Sequence, residues 1–197
     1  MQSVIYISTP TKTYADILPY VTPFANTIPD ELAIEFIRQA TIRFARETGV
    51  LRDIATINAE PNVLNYNVYT TESYTIDRVV GVTFSKDFIN PKIEFTPPNH
   101  IKISRSASKP QHGQVELIVV PNQSCFTIED ALYELHAKDI AAGALAEAHK
   151  LPDQPFTSLD MAIMRDREFR AAINNARTRE LKKGSERSLS MKAPRFV

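Results

Sequence analysis

Residues 127–150 read "TIEDALYELHAKDIAAGALAEAHK". The stretch is built of good helix formers and predicts a helix. Projected at about 100° per residue it has no clean polar side. Leu132, Leu135, Ile140 and Leu145 point several ways, and Ala141, Ala142, Gly143, Ala144, Ala146 and Ala148 fill the gaps. A helix that is small and apolar nearly all round is buried against neighbours on several sides. Those neighbours are either other parts of the same chain or another subunit, and the pattern admits both. Thr127 followed by Asp130 reads as a capping pair at its start.

Two more helices are expected on either side of it. The first is "PDELAIEFIRQATIRFARETG", residues 29–49. Pro29 suits the opening turn, Asp30 and Glu31 favour its positive end, and Gly49 suits the carboxyl-terminal cap. Ala33, Phe36, Ile37, Ala40 and Phe44 form one apolar stripe, while Glu35, Arg38, Gln39, Arg43 and Arg46 cover much of the rest. Ile42 falls within that polar face and is a candidate subunit contact. The other helix follows the break "LPDQP" and is expected over 159–183, with Thr157 and Asp160 as a capping pair and Gly184 as the stop. Its stripe is Leu159, Ala162, Ile163, Phe169, Ile173 and Ala176. Such a rod is about 37 Å long. Its last third, "ARTRELKK", is too polar for this chain's own core to cover and is expected to protrude, so Arg177, Arg179 and Lys182 are candidate inter-subunit residues.

Between the first and second helices the composition changes. "NVLNYNVYT", "YTIDRVVGVTF", "HIKISRS" and "GQVELIVVP" are rich in Val, Ile, Tyr and Thr, with alternating stretches that predict strands. "ASKPQHG" reads as the connection of a hairpin joining the last two. The expected fold is therefore α+β: a bundle of three long helices (29–50 and 127–183) carrying an inserted small antiparallel β-domain of four to six strands (51–126). Residues 1–28 would form an amino-terminal arm, or add a strand through "SVIYIS", and 184–197 an extended carboxyl-terminal arm.

Net charge is zero, yet from Arg165 onward the balance is +6 and before it −6. An acidic body with a basic end can join complementary surfaces, those of its own copies included. A single cysteine, Cys125, excludes an intramolecular disulfide and fits an intracellular origin. With no signal-like start and no long apolar run, the sequence predicts a soluble protein that does not enter a membrane.

Catalytic chemistry finds little support. Cys125 sits beside Phe126 just before the second helix, with no histidine at a motif spacing. His100, His112, His136 and His149 are scattered and form no ligand pair. Five glycines make neither a phosphate loop nor a dinucleotide fingerprint. Asp139 shares a side with Leu132, Leu135 and Ala146, and Arg38 or Arg43 would be its partner. No catalytic residue, metal site or cofactor is assigned, and no enzyme is expected. The basic third helix lacks interleaved aromatics, only Phe169 lying nearby, which makes a poor base-stacking surface.

The order of features resembles that of the head–tail adaptor (connector) proteins of tailed bacteriophages, the tail tubular protein A type included. The likeness rests on the early "ELAIEFIRQATIRFARETGVLRD", the strand-rich middle, and an Ala-rich helix leading through Leu151 and Pro152 to Phe156. It continues in a helix closing with Ile173, Ala176 and Arg177, and in the basic tail ending "PRF". Tryptophans frequent in that family are missing here, and "MQSVIYISTPTKTY" does not align with it. The resemblance implies a structural virion protein at the head–tail junction: a ring of about twelve copies under the portal protein, closed by heterologous contacts. It would extend the channel through which packaged DNA passes without sequence-specific binding, and carry a downstream tail or nozzle protein. Arg187, Leu189, Met191, Lys192, Arg195, Phe196 and Val197 would then dock on the portal. Two alternatives are a tail-completion or neck protein joining the tail tube, and a small DNA-binding protein using the third helix.

Overall fold

The computed structural model describes residues 4–84, 92–104 and 109–184, the side chains of 180–184 excepted. The chain is mixed α+β. Among the described residues are nine short to medium strands in three sheets and four α-helices, three of them long. Their order is β1 (Ile5–Tyr6), β2 (Lys12–Thr13), α1 (Leu18–Val21, entered through a 3-10 turn at Tyr14–Ile17), α2 (Asp30–Thr48) and β3 (Leu51–Ala59). Then come β4 (Asn65–Asn67), β5 (Tyr74–Phe84), β6 (Ile93–Thr96), β7 (His100–Ile103), β8 (Gln111–Pro121), β9 (Thr127–Ile128), α3 (Asp130–Ala148) and α4 (Leu159–Gly184).

The main sheet has the order β1-β3-β8-β5. β3 and β5 both run antiparallel to β8, and β1 joins β3 in parallel, Ile5 opposite Leu51. "SVIYIS" thus does contribute a strand. A second sheet, β4-β7-β6, is antiparallel, and β2 pairs only with β9. β7 and β8 therefore belong to different sheets, and the expected hairpin between them does not form. Residues 105–108, which include Ala107 and Ser108 of the expected connection, lie outside the described residues.

The helices do not form a dominant three-helix bundle, contrary to expectation. α3 does touch both α2 and α4, but α1 and the 3-10 turn also pack on it, and α2 lies against β8 as well. A single apolar core runs through helices and sheet together, joining Ile37 and Phe44 of α2 to Leu117 and Val119 of β8 and to Leu132 and Ile140 of α3. Tyr14, Ile17, Val21, Ala25 and Ile28, from the segment before α2, belong to the same core. The burial of α3 on several sides is thus met within the chain.

Local signals at the helix ends held in part. Gly49 caps α2 with φ +65°, a left-handed conformation that costs glycine little. Pro29 is the residue before the first turn instead of part of it. Thr127 does not cap α3, because it is drawn into β9 and Glu129 takes the cap position. At the start of α4, Ser158 Oγ accepts from Met161 N (3.4 Å), while Thr157 is engaged with Gln154 and Leu151. On α4 the inner stripe is Ala162, Phe169, Ile173 and Ala176; Leu159 and Ile163 are exposed. On α2, Phe36 is only half-buried while Thr41, Ala45 and Thr48 are buried.

Candidate interaction surfaces

Among the described residues, two concavities and the exposed end of α4 could engage another molecule. The larger concavity, about 670 Å³, lies between the polar face of α2 and the strand ends at Thr75 and Pro121–Gln123. α2 places Glu35, Arg38, Ile42, Arg43, Arg46 and Glu47 along it because residues three and four apart share a helix face. Its charges are largely paired. Arg38 bonds Glu35 and the Gln123 carbonyl, and the Arg38 hydrogen bond holds the Glu35 carboxyl below its usual range. Arg43 bonds Glu47 at 2.7 Å, which raises the guanidinium's affinity for its proton, and it also lies 3.8 Å from Asp166. Arg46 and Arg78 share Asp77 at 3.9 and 3.4 Å. Ile42 is half-buried among these charges.

The smaller concavity, about 300 Å³, is an apolar notch between α1, α3 and α4. Pro19, Tyr20, Phe24, Ala142 and Leu145 line it, with Lys138 and Arg165 also at its wall. The Arg165 guanidinium stacks 4.3 Å from the Phe24 ring centroid and bonds Glu168 at 2.8 Å. Cation–π contact of this kind holds the half-exposed Phe24 against the helix pair.

The last buried residue described on α4 is Ala176, and Arg177 and Arg179 beyond it are exposed. The Lys182 side chain and the expected docking residues Arg187, Leu189, Met191, Lys192, Arg195, Phe196 and Val197 lie outside the described residues.

The residues considered for chemistry are not brought together. Cys125 is buried and its thiol donates to the Thr127 carbonyl at 3.2 Å. His112 bonds Asn58 at 2.7 Å, His149 donates from Nδ1 to the Phe156 carbonyl at 2.6 Å, and His100 is exposed on β7. Asp139 has a partner other than the expected arginine: His136 Nδ1, 2.9 Å away and one turn back on α3. The His136 ring also packs 4.7 Å from Phe44, so the pair ties α3 to α2. Among the described residues no group of three or more histidines, cysteines or carboxylates could hold a metal ion, and no helix is long and apolar enough to cross a membrane.

One cluster went unread in the sequence. Glu129 is 2% exposed, a buried carboxyl group at the start of α3. Tyr74 Oη donates to its Oε1 at 2.7 Å, and Ser8 donates to Oε2 from both N (3.1 Å) and Oγ (2.8 Å). Burial first, and the bond to Glu129 next, push the Tyr74 phenol above its ordinary range. The adjoining Asp130 accepts from Thr11 Oγ1 and N at 2.7 and 2.9 Å and from Lys12 N at 3.1 Å, and these bonds, led by the Thr11 hydroxyl, lower its carboxyl. "ED" before a helix was a visible sign of an acidic first turn, but the donors come from residues 55 to 121 positions earlier.

Comparison with known proteins assigns no family: no protein-family model matches the chain, and no curated protein matches it.

Proposed function

We propose that the chain is a structural virion protein, a head–tail adaptor whose copies form a ring beneath the portal, extend the DNA channel and carry the next tail component. The observation that carries this reading is the form of α4. Its first two thirds are anchored by Ala162, Phe169, Ile173 and Ala176, while Arg177 and Arg179 beyond them are exposed and lead into the basic segment 185–197. A rod fixed at one end and cationic at the other is suited to reaching an acidic surface on a neighbour. The ordered succession of helix, strands, alanine-rich helix and basic-ended helix supports the same reading through its likeness to the adaptors.

The groove beside Ile42 and the exposed Arg177 and Arg179 are the surfaces proposed for neighbouring copies. The segment from Arg187 to Val197 is proposed for the portal, with Phe196 as its apolar anchor. Mixing the purified protein with candidate portal complexes should give stacked rings by negative-stain microscopy. Free portals at every ratio tested would remove the proposal. Salt titration against duplex DNA checks the DNA-binding alternative, since phosphate-driven association weakens steeply with salt. No binding to duplex is expected at about 150 mM salt, where screening is already strong.

A further inference from the structure

We propose that residues 5–13 are an exchangeable arm, and that the receptor they occupy on their own body also takes the same residues of a second copy. The receptor is the Leu51–Arg52 edge of β3, strand β9 and the two carboxyl groups that open α3.

Four observations carry this. First, between 5 and 13 only Ile5 is buried and Ile7 packs half-buried against the core, so apolar contact on the arm is confined to these two residues. Second, its ladders are two residues long on each side: Ile5 and Tyr6 on β3, Lys12 and Thr13 on β9. Third, what fastens it is polar and directional. Ser8 bonds Glu129, Thr11 and Lys12 bond Asp130, and Lys12 Nζ lies 5.4 Å from the Tyr133 ring centroid. Fourth, the arm ends at a fixed point, for Tyr14 and Ile17 are 1% and 0% exposed and stay with the core. The pivot therefore falls between Thr13 and Tyr14, where the bonds from Thr13 N and Oγ1 to Asp16 (2.7 and 3.0 Å) must open for the arm to leave.

The occupant is identified by what already sits in the receptor. Every copy presents the same β3 edge, the same β9 and the same Glu129 and Asp130, so an arm that leaves one body can remake each bond on another. Exchange of an identical element costs little for that reason, and concentration decides between the closed and exchanged forms. Because residues 5–13 are bound along their length in the receptor, exchange requires a second body whose β9 and β3 edge lie directly beside the pivot. The biological place of such a link rests on the proposed ring, but the exchange itself is measured without any portal.

The test uses the full chain carrying Cys125→Ser with Tyr6→Cys and Arg52→Cys, residues opposite each other in the β1–β3 register. Samples are incubated reduced at rising concentration, then oxidised and run on denaturing gels. Dilute protein should give an intramolecular disulfide, and concentrated protein a ladder of linked dimers and larger species. Adding Asp130→Ala, which removes three arm bonds, should speed the appearance of the ladder at least tenfold. A monomer band alone at every concentration, in both backgrounds, overturns the proposal. Should the double-cysteine chain fail to fold, a labelled peptide of residues 1–13 is titrated into the unaltered protein. Saturable binding that a scrambled peptide lacks supports the receptor, and equal behaviour of the two peptides overturns it.

Discussion

Gly143 of α3 faces Phe169 of α4, and a Cβ there would sit 2.8 Å from the Phe169 ring. Phe169 is itself buried and packs against Phe44, so it has little room to yield. Gly143→Ala should therefore destabilise the protein by about 1–3 kcal/mol through overpacking, despite the better helix propensity of alanine. Chemical denaturation measures it; an unchanged midpoint would show that the ring can move aside. The Glu129 cluster makes a second residue-scale claim. Tyr74→Phe leaves one carboxyl oxygen without its phenol donor and should cost about 1–3 kcal/mol. Asp130 bears on pH dependence. Its folded-state pKa is depressed, so its contribution is complete above the ordinary carboxylate range near pH ~4 and fades as pH falls through the lower folded value. Protection factors of the Thr11 and Lys12 amides, taken relative to the intrinsic rate at each pH, should fall in acid before the core opens, and Asp130→Asn should flatten that profile. If the two amides exchange only with global unfolding, the arm is not separately fastened.

At the scale of elements, α4 shows how far a helical wheel can be trusted. Ala162, Phe169, Ile173 and Ala176 were readable as a buried stripe, and they are buried. Leu159 and Ile163 were read into the same stripe, yet they lie roughly 60° and 100° from the Phe169–Ile173 direction at ~100° per residue. They are 68% and 44% exposed. Leu159→Ser or Ile163→Ser should change stability by no more than about 0.5 kcal/mol. Ile173→Ala should cost about 2–5 kcal/mol, the range for emptying a packed core site. Thermal melts of the three variants separate the two classes. β3 is the opposite case, an element that the sequence did not announce. Its buried residues Leu51, Ala55, Ile57 and Ala59 fall on alternate positions, but alanine is a weak strand former and two of the four are alanine. Pairing along β8 from Arg52 to Ala59 supplies what the local propensity lacks.

For the whole molecule, the proposed adaptor role separates stability from assembly. Deleting residues 185–197 should leave the melting temperature nearly unchanged, since Leu189, Met191, Phe196 and Val197 are too few to offset ordering the segment at ~1–2 kcal/mol per residue. The same deletion should abolish or greatly weaken docking on the portal. Phe196→Ala should lose more binding than Lys192→Ala, because a buried aromatic anchor outweighs a screened charge. Pull-down with purified portal measures all three, and full-strength docking of the truncated chain would remove the tail from the proposal.

The sequence by itself determined the long helices, the strand-rich middle, the left-handed cap at Gly49 and the burial of the alanine-rich half of α3, although Leu135 in its first half is exposed. Each of these follows from periodicity or from one residue's conformational range, information held within a few neighbours. Only the tertiary structure decided how strands from distant parts of the chain share a sheet, with β1 beside β3 and β7 apart from β8. It likewise decided that Asp139 meets His136 and that Ser8 and Tyr74 close around Glu129. For those last pairings the reason is loop closure. Tyr74 and Glu129 are separated by 55 positions and Ser8 and Glu129 by 121. At such separations no local preference selects a partner, and the packed core brings the groups within bonding distance.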